Sequence, residues 1–293
     1  MTFARPTVDR VQDTARWVAM ARALESERKD SVFSDPLARE LAGERGAELV
    51  HGLGKQAFGT WPIVARTHVI DELVADAVRD GVEAVVNLAA GFDARPYRLP
   101  LPKALTWVEV DHADVIGPKE EALRARTPKC RVERISLDLA EESARRELFA
   151  SLRDRFARIL VITEGLLYYL SEEQALGLAK DLLTLDPFRW ITDLHNAAVL
   201  ERLAKRTKDA FQGTATMQFA PNDGPLVFEP LGWKTIEARS VLKAAGRLRR
   251  LPFPMSLLWR LPEKRYGTPG RPWTGVCVLE PARVTPPRAV SSS

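Results

Sequence analysis

Sulfur and histidine are scarce in this sequence: two cysteines, four methionines and four histidines among 293 residues. Cys130 and Cys277 lie far apart in apolar surroundings, so a disulfide scaffold is excluded and both are expected buried and reduced, as suits the cytoplasm. No cluster of His and Cys has metal-ligand spacing, so no metal is expected. No apolar run approaches the roughly 18 residues a membrane span needs. Met1-Thr2-Phe3-Ala4-Arg5-Pro6 holds no apolar secretory core. The net charge of +4 is spread out, without the Lys/Arg block that marks a nucleic-acid binder. Nor does any segment repeat with a period of roughly 20–50 residues. These absences leave a cytoplasmic globular protein that meets a small molecule, with no nucleic-acid and no membrane partner expected.

What is present is a rhythm of helices and strands. Residues 8–29 carry apolar side chains at helical spacing through Val11, Ala15, Val18 and Leu24. Asp35-Pro36 predicts a second helix, with Asp35 as N-cap, running to Gly43. A third covers about 61–80, with Ile63, Thr67, Ile70, Val74 and Val78 on its stripe. Then Ala84-Val85-Val86-Asn87-Leu88-Ala89-Ala90 reads as a buried parallel strand breaking into a small-residue turn at Gly91. Further strands are expected at 105–111, 130–137, 158–163 and 188–193, separated by helices at 113–126, 141–155 and 171–184, the last opened by a capping box from Ser171 to Gln174. After Asn196 the rhythm breaks with an amphipathic helix over 197–211 and a polar loop, and it resumes with strands near 234–238 and 274–280 around a helix near 239–246.

This order predicts an α/β fold: a mostly parallel seven-stranded sheet with helices on both faces, an N-terminal helical cap and an insertion after the fifth strand. One domain is expected over 1–293: cap and lead-in 1–80, cofactor-binding core 84–195, lid insertion 196–230, C-terminal strands 231–280 and a disordered tail 281–293. Right-handed crossovers bring every parallel strand's C-terminal end to one edge, where nucleotides bind. Asp111, Asp138, Glu164 and Asp193 all fall at that edge, a pattern packing alone does not require.

The turn at Gly91 lacks the Gly-x-Gly-x-x-Gly of a dinucleotide site, which makes a nicotinamide oxidoreductase the weaker alternative. Asp111, twenty residues on, is still spaced to reach ribose hydroxyls. A nucleoside without a pyrophosphate meets both observations. S-adenosylmethionine is one, and carboxylates suit its sulfonium and ammonium charges.

Four blocks resemble the leucine carboxyl methyltransferase family and its bacterial S-adenosylmethionine-dependent branch: Ala21-Arg22-Ala23-Leu24-Glu25-Ser26 with Phe33-Ser34-Asp35-Pro36-Leu37-Ala38, Arg66-Thr67-His68-Val69-Ile70-Asp71, Asn87 to Leu99, and Glu164-Gly165-Leu166-Leu167-Tyr168-Tyr169-Leu170. They span residues 20–195 in the family's order, whereas the C-terminal third is similar only loosely. The resemblance implies the Rossmann-like fold of the class I methyltransferases, S-adenosyl-L-methionine as cofactor and S-adenosyl-L-homocysteine as product. It implies Arg66 on the cofactor's carboxylate, Gly91 beside its methionine part, Asp111 on both ribose hydroxyls, Asp138 and the Leu139 backbone at the adenine, and Glu164 near the ammonium or sulfonium. Arg22 would be a basic N-terminal contact, and Glu109 is the alternative to Asp111. One departure stands out: Ala89 occupies a position where the family usually has glycine.

The family's name implies O-methylation of a carboxylate, while its bacterial members take diverse substrates that include small aromatic metabolites. A carboxylate acceptor is already an anion at neutral pH, and a phenol gains from a base. His195 is the candidate base, against a structural hydrogen-bonded histidine. Tyr168 and His195 are placed at the substrate, with packing under the lid as the alternative for the tyrosine. A different class stays open: a binding or regulatory protein on this fold that holds cofactor without transferring the methyl.

Overall fold

The computed structural model describes residues 11–53, 59–206, 217–262, 266 and 270–282. Seven strands form one sheet in the order β3-β2-β1-β4-β5-β7-β6. They are β1 (Ala84–Leu88), β2 (Thr106–Asp111), β3 (Arg131–Ser136), β4 (Ile159–Thr163), β5 (Arg189–His195), β6 (Trp233–Ser240) and β7 (Thr274–Pro281). The first five run parallel, and β7 lies antiparallel between β5 and β6. The chain turns from β1 outward to β2 and β3, then returns across β1 to β4 and β5. The crevice at the carboxyl ends of β1 and β4 is therefore the topological switch point.

The alternation of side chains along the strands builds the two core layers. Val86, Leu88, Val161 and Trp190 pack on one face against Phe149 and Leu152 of α6 (Glu142–Arg155) and Leu178 and Leu182 of α7 (Glu172–Thr184). Val85, Leu160, Ile162 and Ile191 pack on the other against α3 (Trp61–Arg79) and α9 (Val241–Arg247). Each large apolar side chain buried here contributes roughly 1.5–3 kcal/mol. The short α4 (Arg95–Arg98) follows the β1 turn, α5 (Ala113–Leu123) joins β2 to β3, α8 (Ala197–Arg206) follows β5, and α10 (Met255–Leu258) precedes β7. Ser171 caps α7 with the expected capping box.

The N-terminal helices α1 (Val11–Ser26) and α2 (Ala38–Leu53) make a third, smaller cluster with Phe92 and Ala94 of the loop after β1, so the cap rests directly on that loop. Two local expectations need correcting. Asp35 does not cap α2 with its side chain: its carbonyl accepts the Ala38 N–H, while its carboxylate turns inward to Arg22. The second helix also does not stop at Gly43. The chain breaks there (φ 61°) and continues helically to Leu53, because glycine adopts the left-handed turn without a Cβ clash. The expected helix over 197–211 is described as far as Arg206. Its last residues, the start of the first helix and the tail from 283 lie outside the described residues.

Candidate functional site

The turn after β1 is built from left-handed residues. Ala89 has φ 52° and Gly91 φ 50°. At Gly91 the conformation is inexpensive. At Ala89 the Cβ crowds the following carbonyl at a cost of roughly 1–2 kcal/mol. Ala89 thus follows the backbone path a glycine would take. A Cβ at Gly91 would stand 3.3 Å from the Ala15 side chain, so the turn is sandwiched between sheet and cap.

Asp111, the last residue of β2, holds the turn. Its two carboxylate oxygens accept the N–H of Gly91 at 2.7 Å and of His112 at 2.8 Å. Burial raises its pKa, opposed by those two N–H donors. Each oxygen keeps a second lone pair. Glu109 is used differently. Fully buried, it pairs with Lys119 at 2.9 Å and Arg134 at 2.8 Å, and Arg134 reaches on to the Tyr97 hydroxyl. Both acceptor oxygens of Glu109 are committed inside the protein. Asp138, half-exposed beyond β3, accepts the Ala140 N–H at 2.9 Å and stands 4.0 Å from His112 Nε2. Beside it the Leu139 carbonyl accepts from Arg145.

Between β1 and β5 the described residues form a chain of alternating charges. Arg22 donates to Asp35 (2.9 Å) and to the Phe92 carbonyl (2.6 Å). Arg98 lies 3.7 Å from Asp35 and donates twice to Asp71. Arg95 donates to Asp71 (2.7 Å), Asp93 (2.9 Å) and Glu164 (2.8 Å). Arg66 donates to Glu164 (3.0 Å) and Asp193 (2.7 Å). Four guanidiniums face five carboxylates, all largely buried. Burial alone would raise the pKa of Asp93 and Glu164, but Arg95 and its neighbours hold both below the ordinary carboxylate range. Among these, Arg22 stands behind the turn as a support for the Phe92 backbone. Gly165, in the left-handed region at φ 71°, would place a Cβ 3.7 Å from the Arg66 guanidinium, so glycine keeps that surface open.

At the far end of this chain stand two rings. Tyr168 donates its hydroxyl to Asp193 at 2.5 Å, and its ring lies 4.2 Å from that of His195. Burial, and then the Asp193 charge, pushes the Tyr168 phenol well above its ordinary value. His195, the last residue of β5, is buried, and its Nε2 has no hydrogen-bond partner among the described residues. Burial, with the Arg66 charge, pulls its pKa down to about 4, so the imidazole is neutral at physiological pH.

The edge thus brings together Arg66, Gly91, Asp111 and Glu164 with Tyr168 and His195, while Asp138 and Leu139 flank it beyond β3. Asp71, Asp93, Arg95 and Asp193 were given no role from sequence, although the first three lie inside the motif blocks. Asp193 had only its strand-end position as a signal. Among the described residues no group of three or more His, Cys, Asp or Glu is placed to hold a metal ion, and no helix is long and apolar enough to cross a membrane.

A family model described as leucine carboxyl methyltransferase matches residues 15–182, from the cap through α7. A protein of Frankia alni, provisionally named an S-adenosyl-L-methionine-dependent methyltransferase, is 33% identical over 252 residues, covering 80% of this chain and 87% of its own. A relative with the same provisional name from Streptomyces avermitilis is 32% identical over 242 residues, covering 77% and 83%. The crystal structure of a provisionally named methyltransferase from Thermobifida fusca superposes with a TM-score of 0.53 at 16% identity, covering 96% of this chain and 97% of that one, which shows the class I methyltransferase fold. The chain belongs to the leucine carboxyl methyltransferase family.

Proposed function

We propose that this chain is an S-adenosylmethionine-dependent O-methyltransferase acting on a small or medium organic substrate, at a hydroxyl in preference to a carboxylate. The observation that carries the cofactor is the charge balance at the strand edge. Five carboxylates against four guanidiniums leave a buried excess of one negative charge, and S-adenosylmethionine, whose sulfonium and ammonium exceed its single carboxylate by one, matches it. The other positions fit the same molecule. Asp111 has a free lone pair on each oxygen for two ribose hydroxyls. Asp138 is exposed enough to accept from an adenine amino group. Arg66 has Nε and Nη1 taken by carboxylates, which leaves Nη2 for the cofactor's own carboxylate. When bound, the cofactor supplies an electrophilic methyl on a positive sulfur.

The protein's part in such a displacement is alignment. The preference for a hydroxyl rests on His195. Its neutral, unpartnered Nε2 can accept a hydrogen bond from an acceptor O–H and so turn the oxygen's lone pair toward the methyl. An acceptor carboxylate would find Arg22, Arg95 and Arg98 already paired with acids and the remaining nitrogen of Arg66 taken by the cofactor's carboxylate.

Two measurements test this. Calorimetry should show S-adenosylmethionine and S-adenosylhomocysteine binding and NADH binding far more weakly. Incubation with methyl-labelled cofactor and a panel of phenols, alcohols and carboxylic acids should label a hydroxyl compound. Tighter NADH binding defeats the cofactor assignment. Labelling confined to carboxylic acids removes the role of His195. Cofactor binding with no transfer to any compound favours a binding or regulatory protein on this fold.

A further inference from the structure

Asp193 stands between two groups that belong to different halves of the site. Its Oδ2 accepts from Arg66 at 2.7 Å and from the Tyr168 hydroxyl at 2.5 Å, and its Oδ1 accepts the Gly165 N–H at 2.7 Å. It is 1% exposed, on a central strand whose backbone is held by β4 on one side and β7 on the other. Arg66 is the group expected to meet the cofactor. Tyr168 lies against His195, whose Nε2 faces no partner among the described residues. One carboxylate oxygen therefore joins a cofactor ligand to the acceptor-side ring pair.

We propose that Asp193 is a positioning residue that couples the two halves: a carboxylate arriving at Arg66 changes the share of that guanidinium held by Asp193, and the Tyr168–His195 pair responds. This rests on the assignment of Arg66 to the cofactor. The coupling has a physical basis in the shared oxygen. Arg66 and Tyr168 both donate to Oδ2, so weakening one donor strengthens the other. The remaining titratable groups around this point are Glu164 after β4, Tyr169 beside Tyr168, and Cys277 of β7. Glu164 is shared with Arg95 and contacts neither ring's polar atom, and Cys277 is a buried thiol whose pKa is raised by desolvation first and then by the Asp193 charge. Asp193 accepts from both Arg66 and Tyr168; the Arg66 guanidinium also lies near the Tyr168 hydroxyl and acts on His195 through its charge, so the shared carboxylate is the part of the coupling that Asp193→Asn removes.

The test follows the His195 ring by NMR in protein labelled at histidine Cε1. With four histidines in the chain, single His→Gln variants assign each signal. S-adenosylhomocysteine is the probe, and calorimetry on the same samples reports its binding. In the native protein, saturation should shift the His195 resonance and raise its titration midpoint. In Asp193→Asn, and separately in Tyr168→Phe, S-adenosylhomocysteine should still bind within about tenfold, while the His195 response falls to less than half. Tyr168→Phe removes a single hydroxyl and guards against a folding defect in the first variant. A full His195 response in both variants, or none in the native protein despite binding, overturns the coupling. No binding of S-adenosylhomocysteine to native protein overturns the cofactor assignment, and the coupling with it.

Discussion

Two neighbouring acids on β2 show how burial separates a ligand site from a structural one. Asp111 and Glu109 are both strand residues near the binding edge, and spacing alone leaves either able to reach a ribose. Asp111 accepts two backbone N–H groups and keeps lone pairs open, whereas Glu109 has Lys119 and Arg134 on it in full burial. Asp111→Ala should therefore weaken S-adenosylhomocysteine binding by about 2–4 kcal/mol in calorimetry, the scale for removing a charged acceptor and stranding its donors. Glu109→Ala should cost about 3–5 kcal/mol in urea denaturation instead, because two cations are left buried without their partner. If Glu109→Ala folds stably and loses cofactor, the roles are reversed. Ala89 poses a smaller question with a definite sign. Its left-handed conformation is one glycine adopts freely, so Ala89→Gly should stabilise the fold by about 1 kcal/mol, offset by some gain in unfolded-state entropy. A denaturation midpoint that falls in this variant would show that the methyl contributes packing worth more than the strain.

At the scale of elements, the cap is fastened to the core by buried charge as well as by its apolar cluster. Arg22 of α1 grips Asp35 and the Phe92 carbonyl, and Arg250 after α9 grips Glu25 at 2.8 Å and Asp30 at 3.2 Å. Removing one partner of the Arg22–Asp35 pair should be worse than removing both: Arg22→Leu alone should cost about 3 kcal/mol, and adding Asp35→Asn should recover a large part of it. Strictly additive losses in denaturant would show that the two residues act independently. Because α1 lies against the Gly91 turn, ligand in the crevice should also slow hydrogen exchange in 11–40 and in α8, as closure over the site requires. Unchanged exchange in both segments would mean that the cap is a fixed wall. The sheet and its order of helices were readable from the sequence because strand alternation, the Ser171 capping box and strand-end acids are local signals. The cap's fastening was not. Arg22 and Asp35 are thirteen residues apart, and Arg250 and Glu25 two hundred and twenty-five, so neither pair leaves a periodic trace. The same distance hid the network at the site: Arg66 and Arg95 each sit in a recognisable motif, but Glu164 and Asp193 reach them only through the crossovers. The side-chain cap expected at Asp35 is absent for the same reason, since an N-cap is a local inference and the carboxylate's partner, Arg22, is not local.

For the molecule as a whole, these buried charges set how stability responds to pH. Between its ordinary value of 6.5 and its folded value of about 4, His195 is protonated in the unfolded chain and neutral in the fold. The unfolded state then binds more protons, so stability is full above pH 6.5 and falls as the pH drops toward 4. A shift of this size in a buried group corresponds to about 3 kcal/mol. Asp93 and Glu164, held low by their arginines, add losses of the same sign, but only once the pH nears the ordinary carboxylate range. Asp111, held high by burial, takes up its proton first in the fold and opposes the loss. The upper part of the window, from pH 6.5 to about 5, therefore belongs mainly to His195. Urea denaturation of the native protein should show a falling midpoint across that interval, and His195→Gln, which cannot titrate, should flatten it while leaving the steeper loss below pH 4.5 in place. The cofactor should change the native curve as well: an added carboxylate at Arg66 offsets the cation that helps to hold His195 neutral and raises its folded pKa toward the unfolded value, so saturating S-adenosylhomocysteine should make the loss between pH 6.5 and 4 smaller, with its onset still near 6.5. A native midpoint that is level from pH 6.5 to 5, or a His195→Gln curve that matches it, would show that the imidazole is not the buried neutral group on which both its role toward an acceptor hydroxyl and its link to Asp193 depend.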